Sequence, residues 1–204
     1  LDSKLKLEEF LKGWFKNYID EILGDLINLT KLEKNNQYLR ALVFQLYEKN
    51  GVIKRSEIDN IVKLIPPEER KKLWGMGIKI GRYHVYLHKM LKPKAVEFRI
   101  SLWKIYYNLT KDHTIPRSGL NFIISKNYER NFLLLCGFEK FKDFFVRIDI
   151  LEKLFIKILD NTKDRKFKIN SDMMNLLGCT KENFYKLMTY MNYKKDKTED
   201  TYIF

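Results

Sequence analysis

The sequence has few of the residues that build disulfide, metal or redox sites. Its 204 residues include two cysteines, three histidines and four prolines. Cys136 and Cys179 stand far apart and no C-x-x-C spacing occurs, so neither a zinc ribbon nor a disulfide framework is predicted. This sparse cysteine usage is typical of a reducing cytoplasm, which is the location that we expect.

Common enzyme motifs are also missing. The sequence contains no G-x-x-x-x-G-K-[ST] loop, no G-x-G-x-x-G turn and no G-x-S-x-G elbow. Nucleotide hydrolysis, dinucleotide redox chemistry and esterase chemistry therefore have no visible site. His113 has no identifiable serine or cysteine partner. We expect no catalytic residue, no cofactor and no enzymatic activity from this chain alone.

Two patterns resemble metal or acid–base sites without supporting one. His84 and His88 are four residues apart, which on a strand separates them by about 13 Å, too far for one zinc ion. Adjacent carboxylates are interpreted as solvated surface at Glu8–Glu9, Glu68–Glu69 and Glu199–Asp200. No metal site is predicted.

Long hydrophobic runs are absent. The longest, Phe132–Phe138, is far shorter than the roughly 18 residues of a membrane span, and no charged leader precedes an apolar core. We expect a soluble protein without a membrane partner. The chain begins at Leu1 instead of methionine, which suggests an excised piece of a longer polypeptide or a processed form.

Positive charge is abundant. The chain carries 39 lysines and arginines against 26 acidic residues, giving a net charge of +13, and its pI of 9.5 favours a polyanionic partner. A lysine-rich, AT-biased proteome would inflate this signal. With 45% hydrophobic and 14% aromatic residues, the chain can bury a core as one large or two small domains.

Residues 75–99 form the most informative segment. Apolar and polar residues alternate over 78–88, which predicts two short strands that reverse at Gly81. In this arrangement Lys79, Arg82 and His84 would line one exposed ribbon. Pro93 then starts a helix that runs to about Asn108. The hairpin is either a phosphate-contacting ribbon or a structural hairpin with ordinary solvated lysines.

The predicted fold is mainly α with short β-hairpins. A long amphipathic helix or helix pair over 5–29 precedes a helix over 36–49, a turn at Asn50–Gly51, a short strand, a helix capped by Ser56 and a helix from Pro66–Pro67. With the following hairpin, this is the order of a winged helix, although a generic helical bundle with a hairpin insertion fits equally well.

The C-terminal third repeats that order with different residues. Asp149 is expected to cap a helix through Asp160 with Glu152 as its capping-box partner. A basic link over 163–168 leads to a short helix over 171–177, and a helix from Thr180 to about 191 follows. Residues 193–204 predict two strands around a polar turn at 198–200. Duplication is a hypothesis only, since the copies share order and not identity.

These patterns predict four segments. Residues 1–34 form an N-terminal helix or helix pair, and 35–110 form a helical module with its hairpin at 78–88. Residues 111–125, with Pro116 and Gly119, form a linker. Residues 126–204 form a second winged-helix-like module. The first helix is the most acidic, and its Glu9, Asp20 and Glu21 predict a protein-docking face.

Several segments resemble one helicase family. GIKIGRYHVYLHKMLKPKAVEFRISLW (77–103) is similar to the segment that follows the motor core in alphaproteobacterial Suv3-like, superfamily 2 ATP-dependent RNA helicases, although Lys89 replaces a proline usual there. Further likenesses are WFKNY to GVIKR (14–55), FFVRIDILEKL (144–154) and LLGCTKENFYKLMTYMNY (176–193). They follow the expected order and cover nearly the whole chain.

The resemblance implies a C-terminal accessory region of such a helicase. ATP and Mg²⁺ would then be bound only by motor domains outside this chain. The expected partners are single-stranded RNA (or DNA) and those motor domains, with a ribonuclease as a possible further partner. Sequence-independent phosphate contacts, with stacking by Tyr83 and Tyr86, are expected. The candidate nucleic-acid-binding residues are Lys79, Arg82, Tyr83, His84, Tyr86, Lys89, Lys92, Lys94, Arg99, Arg147, Lys163, Arg165, Lys166 and Lys168.

Two other functions stay open. The chain could be a structural brace that packs on the motor domains or recruits a ribonuclease, with its positive charge incidental. It could also be a free-standing winged-helix DNA-binding protein. The acidic first helix favours the brace.

Overall fold

A computed structural model of the chain describes residues 2–31, 36–109, 113–126, 128–197 and 200–203. It is 58% helical, with nine helices and small antiparallel sheets in these ranges. This confirms the predicted mainly helical fold with short hairpins. The chain divides into two units: unit 1 comprises Leu1–Ile80 and Val85–Thr110, and unit 2 comprises Gly81–His84 and Lys111–Phe204.

Unit 1 consists of five helices, three strands and a single 3-10 turn among its described residues. In chain order these are α1 (Asp2–Leu29), α2 (Gln37–Glu48), β1 (Val52–Lys54), α3 (Arg55–Lys63), α4 (Pro67–Gly75), β2 (Ile78–Ile80), β3 (His84–Leu87), the 3-10 turn (His88–Leu91) and α5 (Pro93–Tyr106). The predicted N-terminal helix is one continuous α-helix.

The start and end of α2 follow from local side-chain chemistry. The Asn36 side chain accepts hydrogen bonds from the amides of Tyr38 (2.8 Å) and Leu39 (3.3 Å), which caps the helix. After the helix, the chain turns at Asn50–Gly51 as predicted, and both residues adopt positive φ. A Cβ on Gly51 would lie 2.5 Å from the Met90 Cγ, so glycine is required there.

The core of unit 1 lies between its helices and a three-stranded sheet ordered β1-β3-β2. In the predicted hairpin, Ile78 pairs with Leu87 and Ile80 pairs with Val85. All four residues of β3 are buried, and Val85 and Leu87 belong to the core of unit 1. Buried apolar residues of α2, α3 and α4 complete the core at Leu42, Val43, Leu46, Ile58, Val62 and Leu73.

Unit 2 contains four helices and seven short strands among its described residues. In chain order these are β4 (Phe122–Ile124), α6 (Arg130–Leu135), β5 (Phe138–Phe141), β6 (Phe144–Arg147), α7 (Ile148–Asp160), β7 (Thr162–Lys163), β8 (Lys166–Lys168), α8 (Ser171–Leu177), α9 (Lys181–Tyr190), β9 (Lys194–Lys195) and β10 (Thr201–Ile203).

The same strand order recurs in the sheets of both units. Unit 2 has a three-stranded sheet ordered β4-β6-β5 and a four-stranded sheet ordered β7-β8-β10-β9. In β1-β3-β2, β4-β6-β5 and β8-β10-β9, the strand that comes last in the chain lies in the middle. An earlier strand and the hairpin's first strand therefore flank it on either side.

The α8–α9 region behaves as its sequence predicts. The Asn170 side chain caps α8 through the Met173 amide, and Gly178 ends that helix in the left-handed conformation. Thr180 caps α9 through the Asn183 amide. Apolar residues of α7, α8, α9 and the four-stranded sheet form one core at Leu151, Leu154, Ile158, Phe167, Leu177, Phe184, Leu187 and Tyr202.

Several local predictions are wrong. Ser56 lies inside α3, whose N-cap Lys54 makes no side-chain cap bond. Asp149 does not cap α7, since its carboxylate binds the Arg147 guanidinium. The basic link over 163–168 is the β7–β8 hairpin, and the linker over 111–125 contains β4, because Phe122–Ile124 pairs with β6.

Some predicted features fall partly outside the described residues. These are Leu1 and residues 32–34 of the first segment, Lys111 and Asp112 of the linker, and Thr198 and Glu199 of the last turn. Across the described ranges, no helix combines the length and the apolar character needed to cross a membrane.

Candidate nucleic-acid interface

The β7–β8 hairpin turns through two residues. Asp164 and Arg165 adopt φ of 50° and 61°, which is the backbone geometry of tight hairpin turns whose twist matches the flanking strands. This turn pairs Lys163 with Lys166. A segment that reads as a basic link is thereby folded into a ribbon with Arg165 exposed at its tip.

Strand register places lysines from three strands on one face. Lys163 pairs with Lys166, Lys166 with Ile203, and Ile203 with Lys194, so these residues form a row across the four-stranded sheet. Lys168 lies two residues beyond Lys166 on the same face, about 6.7 Å along the strand. We call Lys163, Lys166, Lys168 and Lys194 the basic sheet face, and all four are exposed.

Little negative charge neutralises this face. Lys166 donates to Asp196 at 2.8 Å, and that hydrogen bond holds the pKa of the Asp196 carboxyl below its usual value. Among the residues that the structure describes, the other three lysines form no ion pair within 4.0 Å. Like charges directly opposite on neighbouring strands, as at Lys163 and Lys166, destabilise a sheet by a few tenths of a kcal/mol or more.

The opposite side of the same sheet anchors it to the core of unit 2. Phe167 and Tyr202 are cross-strand neighbours, almost fully buried, with ring centroids 5.9 Å apart. Tyr193 packs edge-on against Phe167 at 5.2 Å. The lysines therefore project from a strand framework fixed by aromatic packing.

Two predicted arginines of unit 2 are engaged locally. Arg147 Nε lies 2.6 Å from one oxygen of Asp149, and a second guanidinium nitrogen lies 3.0 Å from the other oxygen. Such a bidentate pair uses the guanidinium edge that would otherwise grip a phosphate. Arg82 is exposed, with its guanidinium carbon 5.8 Å from the centre of the Phe155 ring.

The tip segment 81–84 is held by a carboxylate. Glu152 accepts hydrogen bonds from the amides of Arg82 (2.6 Å), Tyr83 (2.9 Å) and His84 (2.9 Å). A Cβ on Gly81 would lie 2.2 Å from the carboxyl carbon of Glu152. Glycine is needed here because the carboxylate occupies the space that a side chain would fill, so Glu152 caps this turn instead of its own helix.

His84 is buried in the same cluster, and the prediction that it lines an exposed ribbon is wrong. Its side chain is 1% exposed, its Nε2 lies 2.7 Å from Glu139, and its Nδ1 lies 3.8 Å from Glu152 without a hydrogen-bond partner among the described residues. Burial alone would lower the pKa of His84, but its bonding to Glu139 and its proximity to Glu152 outweigh burial and raise the pKa.

The two predicted stacking tyrosines are not open platforms. Tyr83 is half-buried, lies edge-on to Phe155 at 5.8 Å and places its hydroxyl 3.2 Å from that of Tyr193. Burial and the hydrogen bond to Tyr193 raise the pKa of Tyr83. Tyr86, in the central strand of unit 1, is buried. Both rings pack within the fold, which contradicts the expected exposed stacking surface.

In unit 1 the predicted cations have varied surroundings. Lys79 Nζ lies 3.9 Å from the ring centre of Trp74, and Lys89 pairs with Asp25 at 2.8 Å. Lys92 and Lys94 are exposed on either side of Pro93, where α5 begins. None of the three cationic groups in 89–94 is buried.

Arg99 is buried and binds backbone carbonyls instead of lying on the surface. It is 3% exposed and donates to the backbone carbonyls of Asn50 (2.6 Å) and Met90, with a longer bond to Ala95. These bonds tie the turn after α2 to the 3-10 turn before α5. Arg99 therefore has no access to a ligand on the surface, contrary to the sequence-based list.

The predicted docking residues Glu9, Asp20 and Glu21 are exposed on α1. The second half of that helix buries Ile22, Leu23, Leu26 and Leu29 in unit 1. Its first half leaves a large apolar surface exposed at Leu5, Leu7, Phe10, Leu11, Trp14 and Phe15. The predicted docking residues thus lie on the same helix as this exposed apolar surface.

Comparisons with protein-family models, curated proteins and solved structures found no match. In the described ranges, no group of three or more His, Cys, Asp or Glu side chains is placed to hold a metal ion.

Sequence reasoning missed two informative residues, Lys194 and Trp74, and gave a third, Glu152, the wrong role. Lys194 completes the basic sheet face only through β10, so its role depends on strand order. Glu152 sits in an amphipathic helix pattern that does not show its partners 70 residues away. Trp74 reads as an ordinary core aromatic, and only its exposure distinguishes it.

Proposed function

We propose that this chain binds single-stranded nucleic acid, RNA in particular, through sequence-independent contacts between phosphates and the basic sheet face. The observation that carries the proposal is the alignment of Lys163, Lys166 and Lys194 across one sheet, with Lys168 beside them. Four amines on one anchored surface concentrate positive charge where a polyanion can neutralise it.

The residue types suit backbone recognition. A lysine ammonium is a compact point charge that binds phosphate without the fixed fork geometry of arginine. Phosphate contacts position a strand and carry no sequence information. A bound phosphate would also relieve the repulsion between Lys163 and Lys166, and Arg165 at the hairpin tip extends the same surface.

Strand order supports a finer description of the fold. We infer winged-helix-like modules in both units: α2, β1, α3, α4, β2 and β3 form one, and α7, β8, α8, α9, β9 and β10 form the other. Each has the order helix, strand, helix, helix, hairpin, with the hairpin's last strand central. The basic sheet face lies on the sheet of the second module.

The resemblance of 77–103 and of the later segments to Suv3-like RNA helicases supports a place for this binding. In that proposal the chain is an accessory region, ATP and Mg²⁺ are bound by motor domains elsewhere in the polypeptide, and this region holds single-stranded RNA. The chain itself contributes binding and no catalytic group.

Fluorescence anisotropy with a labelled oligouridylate tests the proposal. Replacing Lys163, Lys168 and Lys194 by alanine should weaken binding at least tenfold at low salt. It should also lower the slope of log affinity against log salt by about 2, since each single-strand phosphate contact contributes about 0.7. The matched control replaces the exposed Lys12, Lys16 and Lys31 by alanine.

The control variant carries the same change in net charge and should bind nearly as tightly as the unmodified chain. Equal losses in the two variants would mean that total charge, and not this surface, governs binding. A complete absence of binding by the unmodified chain at low salt would refute the proposal.

A second candidate function is protein docking through α1. The observation that favours it is the exposed apolar surface at Leu7, Phe10, Leu11 and Trp14, because exposed patches of this kind mark interaction sites. The occupant would be the motor core or a partner ribonuclease. In a pull-down with the motor core, Phe10→Asp should abolish capture, whereas Phe44→Asp on α2, at a similarly exposed position, should not.

A further inference from the structure

Trp74 is an exposed aromatic residue at the end of α4 in unit 1. It is 64% exposed, although the preceding Leu73 is almost fully buried in the core. A Cβ placed on the adjacent Gly75 would meet no atom within 4 Å. The ring is therefore attached to a packed helix and has open space beside it.

The immediate neighbours of this ring are cations. Lys79, from β2, places its Nζ 3.9 Å from the ring centre, which is a close cation–π contact. Lys71 lies one helical turn before Trp74 on the same side of α4 and is exposed. Positive charge thus surrounds an aromatic surface large enough to stack on a base.

The backbone that carries Trp74 is fixed. Arg70 donates to the carbonyls of Val62 (3.0 Å) and Ile65 (2.9 Å), which ties α4 to the end of α3. The Gly77 amide donates to the Trp74 carbonyl at 3.0 Å and closes the helix. A ring on such a support is pre-organised, so less conformational entropy is lost when a ligand binds.

Comparison with Trp14 indicates which ligand suits this surface. Trp14 is also exposed, but its ring stacks on Tyr18 at 5.4 Å and its neighbours Phe10 and Leu11 are exposed apolar residues. That environment suits an apolar protein surface. The cations around Trp74 suit a ligand that joins an aromatic face to a negative charge, which is the chemistry of an unpaired nucleotide.

We propose that Trp74 stacks on an unpaired nucleobase, with Lys71 and Lys79 contacting the phosphates next to that base. This site is separate from the basic sheet face and lies in unit 1, and it rests on the proposed function only for the identity of the polymer. It replaces Tyr83 and Tyr86 as the stacking platform.

Binding of oligouridylate to the full chain tests the site by substitution. Trp74→Ala should weaken affinity about tenfold, since stacking on an aromatic side chain is worth roughly 1–3 kcal/mol per base. Trp74→Phe should restore most of it. Trp14→Ala, at a similarly exposed tryptophan, should change affinity less than twofold. Unchanged affinity in Trp74→Ala would overturn the inference even if the lysine variants lose binding as proposed.

A single-tryptophan protein gives an independent readout. With Trp14→Phe and Trp103→Phe, all tryptophan fluorescence comes from Trp74, and oligouridylate should quench it. An abasic oligonucleotide of equal length should bind with much less quenching, and equal quenching would overturn the inference. If the chain fails to bind oligonucleotides, millimolar uridine monophosphate still decides: quenching supports the Trp74 site, and no quenching refutes it.

Discussion

Two lysine-containing hairpins of this chain, 78–87 and 162–168, differ in how much of their surface is exposed. In the first, β3 is buried throughout, and the tip segment 81–84 is bound by Glu152 through three backbone amides. In the second, β8 alternates exposed, buried, exposed, so Lys166 and Lys168 face solvent and Phe167 faces the core. The tip of the first hairpin is a structural element, whereas the second hairpin presents a basic surface.

The difference between the two hairpins shows that alternation of polar and apolar residues predicts a strand but not whether its polar side chains are buried. Polar and apolar residues alternate over 78–88 and, in the second hairpin, over 166–168 only. Whether the polar positions are buried depends on what packs against the outer face. His84 is accommodated inside unit 2 because Glu139 supplies a hydrogen bond at 2.7 Å and its own amide is bonded to Glu152. No comparable partner covers Lys163 or Lys168 in the described part of the chain.

Removal of the carboxylate that binds the tip segment 81–84 should have the largest effect. Glu152→Gln keeps the side-chain size but replaces the charged carboxylate, which accepts three backbone hydrogen bonds, by a neutral amide. Since hydrogen bonds to charged groups contribute about 1.5–3 kcal/mol each and are not additive, we expect a loss on the order of 3 kcal/mol. Urea denaturation measures it. A loss below about 0.5 kcal/mol would contradict the assigned role of Glu152.

A methyl group at Gly81 should act through the same carboxylate. Gly81→Ala would place Cβ within 2.6 Å of three carboxyl atoms of Glu152, so the carboxylate must move and its bonds weaken. We expect a loss of about 2 kcal/mol in the free energy of unfolding. The control is Gly13→Ala in α1, where no atom lies within 4 Å and alanine should stabilise by up to about 1 kcal/mol.

Two paired substitutions of cations by alanine, one inside and one outside the basic sheet face, should affect RNA binding differently. Lys163→Ala with Lys168→Ala should reduce the salt slope of RNA binding by about 1.4. Arg82→Ala with Arg147→Ala removes the same charge from residues outside the basic sheet face and should change the slope little. Anisotropy titrations at several salt concentrations measure both. A larger change in the arginine pair would reverse the roles assigned to the two regions.

Stability should depend on pH through His84. A folded-state pKa raised above that of the unfolded chain, about 6.5, adds stability that is fully present below this pH. That stability is lost as the pH rises through the folded pKa. The charges facing His84 are Glu139 and Glu152, with Arg130 3.6 Å from Glu139. Denaturation from pH 6 to pH 8 should therefore show falling stability.

The variant His84→Gln should show a flatter dependence over this range, because its side chain carries no proton to lose. An equal slope in both proteins would show that His84 is not the group responsible.

The smallest expected effect is a gain in stability on changing one lysine of the second hairpin. Lys163→Thr removes the like-charge pair with Lys166 and places a β-branched residue in a strand. We expect an increase of a few tenths of a kcal/mol in stability, measured by thermal unfolding, together with weaker RNA binding. Lower stability would show that Lys163 makes a stabilising contact.

Much of the secondary structure follows from local chemistry. The capping side chains Asn36 and Thr180, the turn at Asn50–Gly51 and the left-handed Gly178 each act within a few residues of where they stand. Their helices are consequently predictable to within one or two residues. The β9–β10 strands were also found, since alternation and a polar turn are local signals.

The candidate site was only partly predictable. Lys163, Arg165, Lys166 and Lys168 were identified by charge. The face that three of them, the lysines, share with Lys194 depends on pairing of β8 with β10, 33 or more residues later. Glu152 was assigned to a capping box because its bonds to 82–84 span about 70 residues. Arg99 and His84 were taken as surface cations, since a buried charge and an exposed charge have the same local pattern.

The central claim is that the second hairpin, and not the tip segment 81–84 of the first, binds the nucleic acid. Amide NMR spectra of the ¹⁵N-labelled full chain titrated with a short oligouridylate test it most directly. The account predicts shifts at 162–168, 194–195 and 201–203, with the amides of 82–86 unmoved. Shifts confined to 82–86, with 162–168 unmoved, would contradict it.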